Sequence, residues 1–109
     1  VSSFVDPDPA MVAGVLFCVS DRVELYTEGY ARLYAADPAA AVAPYVAAAE
    51  EARRQGLGLN AGHDLSLDNL RYYLERIPWT DEVSIGHALV CDAWIYGMEN
   101  TVALYRRCL

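Results

Sequence analysis

Two histidines occur in the chain, His63 and His87, and each follows a glycine, in Asn60-Ala61-Gly62-His63 and in Ile85-Gly86-His87-Ala88. An imidazole exchanges its proton near neutral pH, so both are candidates for acid–base work. A glycine beside such a group lets a ligand come close to the backbone. If a helix begins at His87, the backbone N–H groups near Gly86 and His87 are suited to an anion such as phosphate. Glu24 is a carboxylate inside the apolar run Val23-Glu24-Leu25. Spacing alone leaves two readings for it, one pointing into a barrel interior and one facing solvent at an edge. Taken singly, His63 also reads as a turn residue and His87 as a locally satisfied helix-start residue. Their recurrence beside glycine favours a functional reading for both.

These residues need strand ends and helix starts to hold them, and the pattern supplies them. A β-prone run over residues 1–5 stops at Asp6-Pro7-Asp8-Pro9, where Asp8 can cap a helix over about 9–18. A second strand covers 22–27, followed by a loop at Glu28-Gly29 and a helical turn over 30–36. Asp37-Pro38 opens an alanine-rich helix that runs to Gln55, and Gly56 ends it. The third strand is expected over 57–62, then a polar loop at His63-Asp64 and a helix from Ser66 or Asp68 to Arg76. A fourth strand over 83–86 leads into one final helix, 87–107. Four strand–helix alternations imply parallel strands joined by right-handed crossovers, an α/β fold of (βα)4 type. Ligands of such folds gather where strands end, which selects Glu24, Asn60, His63, Gly86 and His87.

The remaining conspicuous side chains read as structural. Glu50-Glu51 and Asp81-Glu82 are solvated charges, and Tyr72, Tyr73, Trp79 and Trp94 are packing residues. Cys18, Cys91 and Cys108 are widely spaced and odd in number, and they read as small buried apolar groups without a disulfide framework or a zinc site. At 109 residues, 55% hydrophobic and 21% charged, the chain is one globular domain. Fifteen acidic residues against eight arginines give a net charge of -7, which argues against nucleic acid as a partner. No apolar run is long enough for a bilayer span and no signal-like N-terminus is present, so a soluble, cytoplasmic protein is expected.

Val1-Ser2-Ser3-Phe4-Val5-Asp6-Pro7-Asp8, Asp21-Arg22-Val23-Glu24-Leu25-Tyr26-Thr27, Gly56-Leu57-Gly58-Leu59-Asn60-Ala61-Gly62-His63-Asp64-Leu65 and Val83-Ser84-Ile85-Gly86-His87-Ala88-Leu89 resemble successive signatures of the pyridoxine 5'-phosphate synthase family, in its order and at about its spacing. The resemblance implies the C-terminal half of a (βα)8 TIM barrel. The family condenses 1-deoxy-D-xylulose 5-phosphate with 3-amino-2-oxopropyl phosphate, releasing phosphate and water. On the matching positions it implies His63 as general acid and Glu24 as an inward carboxylate that stabilises a transition state. Asn60 and Asp64 then fall in the substrate-binding segment, Asp64 through its backbone, and Gly86 and His87 in a second phosphate or product segment. No cofactor or metal is implied. Val19-Ser20 stands where the family usually has Gly-Ala, and Glu28-Gly29 departs from its commoner Gly-Pro, changes expected to alter loops rather than chemistry.

The family's N-terminal half, with its own histidine, glutamate and arginine, has no counterpart in these residues. Four strands leave two open edges and an apolar inner face, so pairing with a second copy or with an N-terminal half is expected. The alternative reading is a catalytically silent phosphate-binding or assembly half-barrel from a truncated gene.

Overall fold

The computed structural model describes residues 2–15 and 20–109. Its strands are β1 (Ser2–Val5), β2 (Arg22–Tyr26), β3 (Gly58–His63) and β4 (Glu82–Ile85). Its helices are α1 (Pro9–Gly14), α2 (Glu28–Tyr34), α3 (Pro38–Arg54), α4 (Leu70–Arg76), α5 (His87–Tyr96) and α6 (Met98–Arg106). The four strands form one parallel sheet in the order β1-β2-β3-β4. Sequential parallel strands joined by right-handed crossovers carry their helices on one face. The fold is therefore the expected (βα)4 half of a TIM barrel, and its principal extents of 43 × 30 × 19 Å correspond in thickness to one sheet and one helical layer.

Alternation along the strands sorts the side chains. Val23 and Leu25 of β2 and Leu59 and Ala61 of β3 are buried beneath the helices. Each Leu or Val sealed there contributes about 1.5–3 kcal/mol. The intervening positions, with Arg22, Glu24, Asn60 and Gly62 in neighbouring registers, line the other face. Among the described residues no helix lies over that face, and Phe4, 52% exposed, lies on it.

The helices form where caps and small residues permit. Asp8 accepts a hydrogen bond from the Ala10 N–H (2.9 Å) ahead of Pro9, and Asp37 accepts one from the Ala40 N–H (3.1 Å) ahead of Pro38. Ala41, Val42, Tyr45, Ala48, Ala49 and Ala52 recur at helical spacing, and the alanines let α3 lie close to the sheet. At its end, Gly56 adopts φ 75° and the Leu57 N–H donates to the Ala52 carbonyl (2.9 Å), a Schellman closure that favours glycine.

Several expectations are corrected. Glu28-Gly29 is not a loop but the start of α2, which Thr27 opens by accepting the Ala31 N–H at its carbonyl (3.0 Å). The final helix is not continuous: Gly97, at φ 81° and ψ 152°, splits it into α5 and α6. Helix α1 ends at Gly14, and the expected extension to Cys18, like the Val19 position, lies outside the described residues. Trp79 does pack, donating Nε1–H to the Ala49 carbonyl (3.1 Å), whereas Trp94 on α5 is 87% exposed. Cys91 is likewise exposed rather than buried, because α5 buries none of its residues fully. Asp81-Glu82 is not a merely solvated pair, since Asp81 accepts a hydrogen bond from the Leu59 N–H (2.9 Å) and both acids lie near Arg22. No helix among the described residues is long and apolar enough to cross a membrane.

Candidate active site

Glu24 and His63 meet on the uncovered face, with His63 Nδ1 3.7 Å from Glu24 Oε1. Strand alternation by itself would send His63 beneath the helices with Ala61. Its φ of 76°, in the left-handed region, turns it the other way instead. Its ring then packs edge-on against Phe4, centroids 5.5 Å apart, and Phe4 in turn touches Tyr26. The uncovered face thus has an aromatic wall beside an acid–base pair.

Glu24 is sheltered on that face. Its side chain is 20% exposed, and Oε1 is buried without a hydrogen-bond partner among the described residues. An unpaired buried carboxylate oxygen costs about 1–3 kcal/mol or more, so it is poised to take a donor from a ligand or from a protonated His63. Gly62 makes room for it: a Cβ there would stand 2.7 Å from Glu24 Oε1 and 3.0 Å from the Ser84 carbonyl oxygen. The glycine of the third-strand signature therefore clears space for the carboxylate, rather than only for a ligand.

The loop after β3 is held by groups that its sequence did not advertise. The buried Thr27 hydroxyl donates to the Gly62 carbonyl and accepts from the Asp64 N–H (3.3 Å). Asn69 accepts from the Ser66 N–H through Oδ1 (2.8 Å) and donates Nδ2–H to the Asp64 carbonyl (3.4 Å). Tyr30 donates its hydroxyl to the Asn69 carbonyl (2.5 Å). Behind them Tyr30, Tyr45 and Tyr73 form a buried triad with ring centroids 5.2–6.0 Å apart. Burial pushes all three phenols above their ordinary range, so they serve as neutral packing groups, and Tyr30 and Tyr45 also donate hydrogen bonds. Thr27 and Asn69 look like ordinary polar residues in the sequence, and only their long-range partners reveal their role.

Asn60 stands in register with Glu24 on the adjacent strand. Asp64 is exposed, but its N–H is engaged by two long bonds, to Thr27 Oγ1 (3.3 Å) and to the Gly62 carbonyl (3.2 Å). A phosphate arriving there has to displace those weak bonds. Gly86 and His87 are brought to the same end of the sheet, immediately after Ile85, which is the register partner of His63. No side chain caps α5, which leaves the first-turn amides open to an anion. A Cβ on Gly86 would meet nothing within 4 Å, so packing does not exclude a side chain there. His87 Nε2 lies 3.4 Å from Cys91 Sγ on the next helical turn. The structure thus gathers all six candidates, Glu24, Asn60, His63, Asp64, Gly86 and His87, at the uncovered face and the strand ends that border it.

Comparison with known proteins shows the family of the chain. The family described as "Pyridoxal phosphate biosynthesis protein PdxJ" matches residues 1–109. The chain is 60% identical over 108 residues to a pyridoxine 5'-phosphate synthase of Bacteroides fragilis, covering 99% of this chain and 46% of that protein. It is 57% identical over 107 residues to the synthase of Cytophaga hutchinsonii (98% and 45%) and 48% identical over 108 to that of Christiangramia forsetii (99% and 46%). It spans about half the length of these curated relatives. With the match running the full length of the chain and the sheet being half a barrel, the chain belongs to the PdxJ family of pyridoxal phosphate biosynthesis proteins.

Proposed function

We propose that residues 1–109 form the half of a cytoplasmic pyridoxine 5'-phosphate synthase, a transferase, that contributes the general acid and one carboxylate to the condensation of 1-deoxy-D-xylulose 5-phosphate with 3-amino-2-oxopropyl phosphate. The observation that carries this reading is the His63–Glu24 pair, 3.7 Å apart beside an aromatic wall, with one sheltered carboxylate oxygen unpaired. A protonated His63 gives its proton to an oxygen leaving the condensed substrate, which departs as water. Glu24 steadies the imidazolium before the transfer and accepts an N–H or O–H of the substrate through Oε1. The amides at Gly86 and His87 take a phosphate, and Asn60 and the Asp64 segment hold the substrate beside His63. The second half of the barrel, from another stretch of polypeptide or another subunit, covers the open face and supplies the remaining acid–base groups.

The test is a complete barrel made by joining residues 1–109 to the rest of the Bacteroides fragilis relative. Formation of pyridoxine 5'-phosphate from the two substrates is expected. His63→Ala should lower turnover about 10²- to 10⁴-fold with little change in thermal midpoint. A folded barrel that binds inorganic phosphate without turnover would establish the silent phosphate-binding module instead.

A further inference from the structure

Arg22 opens β2 on the uncovered face, and its side chain lies across β3 towards β4. Nη1 donates to Asn60 Oδ1 (3.0 Å) and stands 3.8 Å from Glu82 Oε2 and 4.0 Å from Asp81 Oδ2. Gly58 makes this path possible, because a Cβ there would fall 2.7 Å from Arg22 Cγ. Asp81 is itself fixed to β3, its carboxylate accepting from the Leu59 N–H (2.9 Å) and its own N–H donating to the Leu59 carbonyl (2.8 Å). The guanidinium is thus held on one side by two acids and on the other by an amide oxygen.

A guanidinium only donates, so the amide end facing it has to be the oxygen. The other end, Nδ2, has no hydrogen-bond partner among the described residues and keeps both of its N–H groups free to donate to a ligand. An asparagine's terminal torsion is broad and nearly two-fold, and without Arg22 the amide would present oxygen or nitrogen with little preference. The Arg22 ion pairs are about half exposed, and pairs of that kind add little stability.

From these contacts we infer that Arg22 is a positioning residue: it orients Asn60 so that Nδ2, and not Oδ1, meets the substrate. This rests on the function proposed above and adds a specificity to it, since a fixed donor beside Glu24 selects an oxygen acceptor of the substrate, such as a carbonyl or phosphate oxygen. Arg22 acts through Asn60 and touches no substrate itself.

The experiment is a double-mutant cycle in the complete barrel described above. Arg22→Met should lower kcat/KM about tenfold when Asn60 is present and less than about twofold in the Asn60→Ala background, with the thermal midpoint nearly unchanged in both. Arg22→Lys, which restores one donor, should recover part of the loss. An equal effect in both backgrounds, or none in either, overturns the positioning role while leaving the synthase reading intact. A folded barrel without turnover overturns the synthase reading, and the orientation of Asn60 is then decided by NMR. Its side-chain amide resonances shift and broaden in Arg22→Met if the guanidinium holds them, and stay unchanged if it does not.

Discussion

At the scale of single residues, two glycines with similar sequence surroundings do opposite jobs. Gly62 is needed by the protein, because a Cβ there would collide with Glu24 Oε1 at 2.7 Å and press on the Ser84 backbone. Gly62→Ala is expected to displace the carboxylate, so activity in a complete barrel should fall at least as much as for Glu24→Gln, measured side by side. Gly86 is different. A Cβ there faces open space, so Gly86→Ala should meet no steric clash while weakening phosphate-ligand binding in a titration. Unchanged affinity would remove the α5 N-terminus from the site.

At the scale of elements, the tyrosine triad shows why hydroxyls that look alike in the sequence differ in worth. Tyr45 donates its hydroxyl to the Tyr26 carbonyl (2.6 Å) and accepts from the Tyr30 N–H (3.2 Å), tying α3 to the end of β2 and the start of α2. The Tyr73 hydroxyl is buried with no partner among the described residues. Tyr45→Phe should therefore cost about 1–3 kcal/mol in urea unfolding, whereas Tyr73→Phe should be neutral or stabilising. The same triad sets an alkaline limit. Burial raises the folded-state values of Tyr30, Tyr45 and Tyr73, so above pH ~10 the unfolded chain releases protons that the folded chain retains. Stability is unaffected by these groups below that pH and falls as pH rises through it. The decline in thermal midpoint should be shallower in Tyr30→Phe, where one of the retained protons is gone.

At the scale of the whole molecule, a parallel sheet with helices on one side is half of a closed design. Phe4 and Tyr26 are exposed on the bare face, and Trp94 and Ile95 are 87% and 75% exposed on α5. Apolar exposure of this kind calls for cover. Residues 1–109 alone should therefore sediment as concentration-dependent oligomers, and supplying the other half of a relative's barrel should convert them to a discrete complex. A monomer stable at high concentration would show that the bare face needs no partner.

The order of strands and helices was legible in the sequence because periodicity, proline, glycine and the Asp8 and Asp37 caps act within a few residues of one another. The placement of the candidates was legible in part, because His63 and His87 fall at strand ends and Glu24 falls within β2, where local patterning sets the position along the chain. The tertiary structure alone decided what depends on distant neighbours. Strand alternation assigns His63 to the helix-covered face, and only its left-handed backbone, locked by Thr27 and Asn69, carries it to Glu24. Composition made Trp94 and Cys91 look buried, yet α5 turns Leu89 and Asp92 towards the core and α6 and leaves Trp94 and Cys91 on its open side. Arg22 reads as one surface charge among eight, and it gains a role only when folding lays it over Gly58 against an amide 38 residues away.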